Sequence, residues 1–128
     1  MTAELHAVML CRPWELLAGL NEMNADCLLV LCTCPTRAAA DAIATALLEE
    51  RLAACVNQVT GVRSLYRWEG RIEDDDELML LIKTTAALYP ALEEMIRNLH
   101  PYEVPEIIGI PLAIGSKAYF DWIRNSVR

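Results

Sequence analysis

A chain of 128 residues with 11 basic and 18 acidic residues, net charge −7, is one domain's worth of polypeptide. Folding at this length buries roughly two-thirds of the extended chain's surface, so a core needs neither a disulfide nor a structural metal. The cations form no cluster that could neutralise phosphates, and the longest strongly apolar runs, Cys27–Cys32 and Ile107–Ile114, fall far short of the ~20 residues of a spanning helix, so neither a nucleic acid nor a membrane is expected as a partner.

Apolar residues make up 55% of the chain and aromatics only 6%, with 17 Ala and 19 Leu, which predicts a fine-grained aliphatic core. The five cysteines are an odd number scattered through apolar segments. Glu4, Arg12, Pro13 and Glu15 interrupt any hydrophobic leader segment, so free thiols in a reducing, cytoplasmic setting are expected.

Residues 1–26 differ from the rest. Leu10, Trp14, Leu17 and Leu20 have helical spacing, but Pro13 and Gly19 weaken it, and residues 1–22 read as an extension from an upstream start. The acidic balance persists when those residues are set aside, so it belongs to the domain that begins at residue 27.

Cys27–Cys34 (CLLVLCTC) is apolar on both faces, as a central strand must be. Pro35 stops it and Thr36 is positioned to cap a helix reaching about Leu52, with Ala40, Ile43, Ala44, Leu47 and Leu48 as its core stripe. Cys55–Trp68 alternates as a strand, Glu69-Gly70 supplies a turn, and Arg71–Thr84 returns as a second strand, two-sidedly apolar over Leu78–Ile82. A helix is predicted from about Leu88 to Asn98, with Pro90 tolerated in its first turn. His100-Pro101-Tyr102 forces extended chain. Glu106–Ile114 is a last strand that Pro111 restricts to an edge, and Ser116 caps a final helix carrying Phe120, Ile123 and Val127.

The order β-α-β-β-α-β plus a terminal helix predicts an α+β, ferredoxin-like split βαβ antiparallel sheet with the first and third strands central. Both helices of that unit cover one face, yet the central strands are apolar on both. The hairpin would be roughly 45 Å long at ~3.3 Å per residue, whereas a helix of Thr36–Leu52 spans only about 25 Å. An overhanging hairpin carrying Leu65, Tyr66 and Trp68, bent at Gly61, predicts an obligate oligomer.

The stretches LVLCTCP (29–35), ERLAACVN (50–57), SLYRWEG (64–70), LLIKTT (80–85) and LHPYEVPEII (99–108) resemble, in order and spacing, the CutA family of divalent-cation tolerance proteins. The resemblance covers about residues 27–124. It implies a ferredoxin-like subunit of a cytoplasmic homotrimer whose hairpins pair across subunits, and it implies copper binding. The copper ligands it implies are a first-strand cysteine and two adjacent histidines before the Pro-Tyr; Cys32 and His100 match, while Leu99 occupies the other histidine position.

Cys32 and Cys34 form a Cys-x-Cys whose thiols share one strand face. Thiolate with imidazole suits copper, but buried cysteine also serves as a small hydrophobe. Cys32 stands open between ligand and core; Cys27, Cys34 and Cys55 read as core. His100 stands open between ligand and satisfied helix-end histidine. The run Glu73-Asp74-Asp75-Asp76-Glu77 lacks a glycine-punctuated loop for a hard cation and reads as a solvated, aggregation-resisting edge. Tyr66, Trp68, Lys83, Tyr102, Glu106 and Trp122 are candidates for an intersubunit cleft in which Lys83 and Glu106 pair around a small ligand; the alternative is interface packing.

No motif of hydrolases, zinc proteases, nucleotide-binding loops or dinucleotide folds is present, so binding rather than turnover is expected. The leading expectation is a trimeric cytoplasmic protein binding copper, with other divalent cations also admitted, in metal-ion tolerance. The alternatives are a trimeric metabolite sensor resembling the PII-type signalling proteins and a scaffold serving a protein partner.

Overall fold

A computed structural model describes residues 26–128; the features expected of residues 1–25 lie outside the described residues. The elements are β1 (Cys27–Cys34), α1 (Arg37–Glu49), β2 (Cys55–Trp68), β3 (Arg71–Thr85), a 3-10 turn (Ala86–Leu88), α2 (Tyr89–Leu99), β4 (Ile108–Pro111) and α3 (Lys117–Ser126). They form an antiparallel sheet in the order β2-β3-β1-β4, so the two-sidedly apolar strands are central and the proline-bearing strand is an edge, as expected.

Local chemistry sets most boundaries. Thr36 Oγ1 accepts the Ala39 N–H at 3.1 Å, and Ser116 Oγ accepts the Tyr119 N–H at 3.3 Å; each satisfies a donor that the first helical turn leaves open. Glu69 (φ 49°) and Gly70 (φ 77°) are both left-handed, closing the hairpin with the turn sense that strand twist prefers. The register of β2 against β3 shifts between Val59 and Val62, and Gly61 sits in this bulge at φ 76°.

Three expectations change. Leu48 is exposed, because the buried stripe of α1 is only Ala40, Ile43, Ala44 and Leu47. Cys55 is half-buried rather than core, lying on the edge strand with its thiol 3.9 Å from Asn57 Oδ1. The last strand is four residues, not nine, because only Ile108–Pro111 pair with β1.

The main core lies between one sheet face and helices α1 and α2: Val30, Cys32 and Cys34 of β1, Leu80 and Ile82 of β3, Ile43 and Leu47 of α1, Leu92 and Ile96 of α2. On the opposite face, Phe120 and Ile123 of α3 bury Cys27, and Arg124 clamps Asp26 through bonds of 2.7 and 3.0 Å. Thr33 and Glu77 are buried at the other end of that face, and the stretch between stays open. Register places Leu29, Leu31, Met79, Leu81, Val59, Ile108 and Ile110 together on it, partly or fully exposed. Leu65 and Ile72 on the hairpin are more than 60% exposed. An apolar surface of this extent is what assembly covers.

Candidate metal centre and adjoining groove

Alternation along β1 sends Cys32 and Cys34 to the helix-covered face, opposite Leu80 and Leu78 of β3. His100 arrives from the end of α2. Pro101 holds it extended at φ −76°, ψ 137°, as the rule for residues preceding proline requires, and its N–H still donates to Ile96. One ligand atom from each of Cys32, Cys34 and His100 lies within 4.8 Å of the others, and all three residues are buried.

The imidazole is held by two hydrogen bonds. The Tyr102 N–H donates to Nδ1 at 3.1 Å, which fixes the ring proton on Nε2, and that Nε2–H donates to the Thr33 carbonyl at 2.7 Å. A metal taking this ring must displace one of these two bonds. The Cys32 thiol lies 3.8 Å from the Thr33 carbonyl; interaction with the neighbouring Cys34 thiol pushes Cys32 well up, and burial with the nearby Glu106 and Glu77 pushes it further. The same interaction holds Cys34 below the ordinary thiol value against the effect of burial. Thiolate, thiolate and imidazole together are a donor set for a soft or borderline cation such as copper, so the residues fit the metal expected from the sequence.

Beside the cluster, between the hairpin and the 101–106 segment, opens a groove of about 750 Å³. Thr33, Glu77, Tyr66, Trp68, Tyr102 and Glu106 are among the residues lining it. Tyr102 Oη donates to Glu77 Oε2 at 3.1 Å; burial and this bond raise the phenol's pKa. Tyr66 Oη donates to Asp75, which pushes its pKa up to about 12. Tyr102 thus belongs to both places, binding His100 through its amide and Glu77 through its hydroxyl.

Four of the six expected cleft residues, Tyr66, Trp68, Tyr102 and Glu106, line one groove; Lys83 and Trp122 do not. Lys83 lies six residues from Glu77 along β3, roughly 20 Å away, and its Nζ donates to Asn57 Oδ1. Trp122 stacks beside Tyr119 on α3 with ring centroids 5.5 Å apart. The expected Lys83–Glu106 pair is therefore not made within one chain: Lys83 pairs with Cys55 and Leu29 near the carboxyl-terminal end of β3, whereas Glu106 lies near Cys32.

Two residues do more than their sequence context predicts. Cys34 is core as expected and in addition lies beside Cys32 and His100, and its alternation with Cys32 is the signal that puts both thiols on one face. Glu77, expected as part of a solvated run, is only 6% exposed beneath Tyr102.

Comparison with known proteins identifies the family. The divalent-cation tolerance protein CutA of Thermus thermophilus is 53% identical over 97 residues, covering 76% of this chain and 94% of that protein. Human protein CutA is 47% identical over 93 residues, 73% of this chain, which spans about half of the human protein's length. The solved structure of the divalent cation tolerance protein (Cut A1) from Thermus thermophilus superposes with a TM-score of 0.78 at 50% identity, covering 80% of this chain and 99% of that one. The family described as CutA1 divalent ion tolerance protein matches residues 28–126, from the start of β1 to the end of α3, and this chain belongs to that family.

Proposed function

We propose that this chain is the subunit of a cytoplasmic homotrimer that binds copper at Cys32 and His100 and contributes to tolerance of divalent cations by binding, without turnover. The observation that carries this reading is the buried convergence of Cys32, Cys34 and His100 within 4.8 Å. Copper bound there is sequestered by soft ligands and screened from solvent. The chain's own residues supply the pocket: β1 fixes the thiols, Pro101 sets the imidazole, and the Thr33 carbonyl orients the ring, the outer-shell role common for ligand histidines. Free thiols among the described residues, Cys27, Cys32, Cys34 and Cys55, suit a reducing compartment. The open sheet face and overhanging hairpin support assembly.

Copper titration followed by calorimetry tests the metal reading. Wild type takes up copper, and Cys32→Ser weakens the isotherm by tenfold or more; identical isotherms would remove Cys32 as a ligand.

A second reading, a metabolite sensor, draws on the groove, whose volume and mixture of aromatic and acidic walls suit a small molecule. Lys83 and Trp122 join such a site only when contributed by a neighbouring copy. A thermal-shift screen of metabolites should then find a stabiliser whose effect is lost in Lys83→Ala.

A further inference from the structure

Resting on the copper reading above, we propose that Cys34 is a third metal ligand, making the centre a two-thiolate, one-imidazole site for Cu(I).

The geometry leads there in steps. The resemblance supplies a cysteine and two neighbouring histidines, but Leu99 stands where one histidine would be. Its side chain carries no donor atom, and it is 42% exposed. The helix end therefore offers one ligand, His100. Cys34 is the residue that the fold brings up. It is two positions beyond Cys32 on a strand hydrogen-bonded on both sides, so the two sulfurs cannot diverge to opposite faces.

Spacing admits a metal, and donor type with burial selects which. Bonds of about 2.3 Å to sulfur and about 2.0 Å to nitrogen, the lengths zinc makes, place donors roughly 3.5–4 Å apart, and a first-row ion of similar size needs a similar spacing. Donors already within 4.8 Å reach that spacing by small side-chain rotations rather than by backbone movement. Cys32 and Cys34 are 0% exposed and His100 is 7% exposed, which leaves little access for the water ligands that complete a four- or six-coordinate divalent site. Cu(II) favours tetragonal nitrogen and oxygen donors, whereas thiolate-rich sites select Cu(I). Binding forms two Cu–S bonds and one Cu–N bond, displaces any protons on the two sulfurs to solvent, and exchanges one imidazole hydrogen bond for the metal; copper enters and stays as Cu(I), so no electron is transferred.

An anaerobic titration with Cu(I) against a chromophoric chelator, following ultraviolet thiolate-to-copper charge transfer, tests the assignment. Wild type is expected to take one Cu(I) per chain. Cys34→Ser should lose affinity by more than the roughly 10–100-fold that removal of an outer-shell partner costs, and about half of the charge-transfer intensity should go with it. Cys34→Ala, checked for a native melting transition without metal, gives the same result if serine perturbs the core. Cys34 variants with wild-type affinity and intensity, alongside a weakened Cys32→Ser, overturn the third-ligand assignment and leave the copper reading intact. Failure of wild type to take either Cu(I) or Cu(II) overturns both.

Discussion

At the scale of single residues, Tyr102 concentrates more function than its position in a connecting segment suggests. Its amide fixes the tautomer of His100, and its hydroxyl serves the buried Glu77. Tyr102→Phe removes only the hydroxyl. It should cost about 1–3 kcal/mol, the penalty for leaving a buried acceptor without its donor, read as a lower melting temperature while copper binding is unchanged. A variant as stable as wild type would show that water replaces the phenol. Cys34 and Glu77 also mark where sequence reading stops at this scale. Strand alternation predicts that Cys34 shares a face with Cys32, but which donors meet that face depends on the end of α2, more than sixty residues later. Glu77 ends an acidic run that reads as solvated, and only the distant Tyr102 makes it a buried acceptor.

At the scale of elements, most of the fold was legible because its boundaries rest on local chemistry. Thr36 and Ser116 cap their helices, Pro101 forces extension, and Gly61 and Gly70 occupy the left-handed conformations expected of a bulge and a turn. The length of β4 was not legible, since pairing with β1 rather than composition decides where the ladder ends. Two glycines separate two physical costs. At Gly61 a Cβ would meet nothing within 4 Å, so Gly61→Ala should destabilise by about 1–2 kcal/mol through backbone strain alone. At Gly115, where no left-handed φ is involved, a Cβ would lie 2.7 Å from the Phe120 ring. Gly115→Ala should therefore shift Phe120 off Cys27 and loosen α3, seen as faster amide exchange in α3 with the β2–β3 hairpin unchanged. Uniform exchange across both elements would show that α3 does not respond separately.

At the scale of the whole molecule, α1 and α2 complete one side of the sheet and α3 completes only an end of the other. The acidic excess of the chain adds like-charge repulsion between copies without covering this surface. Leu81 is on this open face, away from the thiol cluster and from the main core. Leu81→Glu should convert the proposed trimer to smaller species in sedimentation while leaving the secondary structure of the subunit in place. An unchanged sedimentation coefficient would move the interface elsewhere. The two outer strands carry a consequence of their own. β2 has 14 residues and bends at its bulge, while β4 has four. Joining one copy's long edge to the next copy's short edge is head-to-tail, and such a contact closes into a ring only if the rotation between neighbours divides a full turn evenly; otherwise it propagates as a filament. In the proposed trimer the hairpin enters that rotation, so the bulge at Gly61 would contribute to how many copies complete the circle.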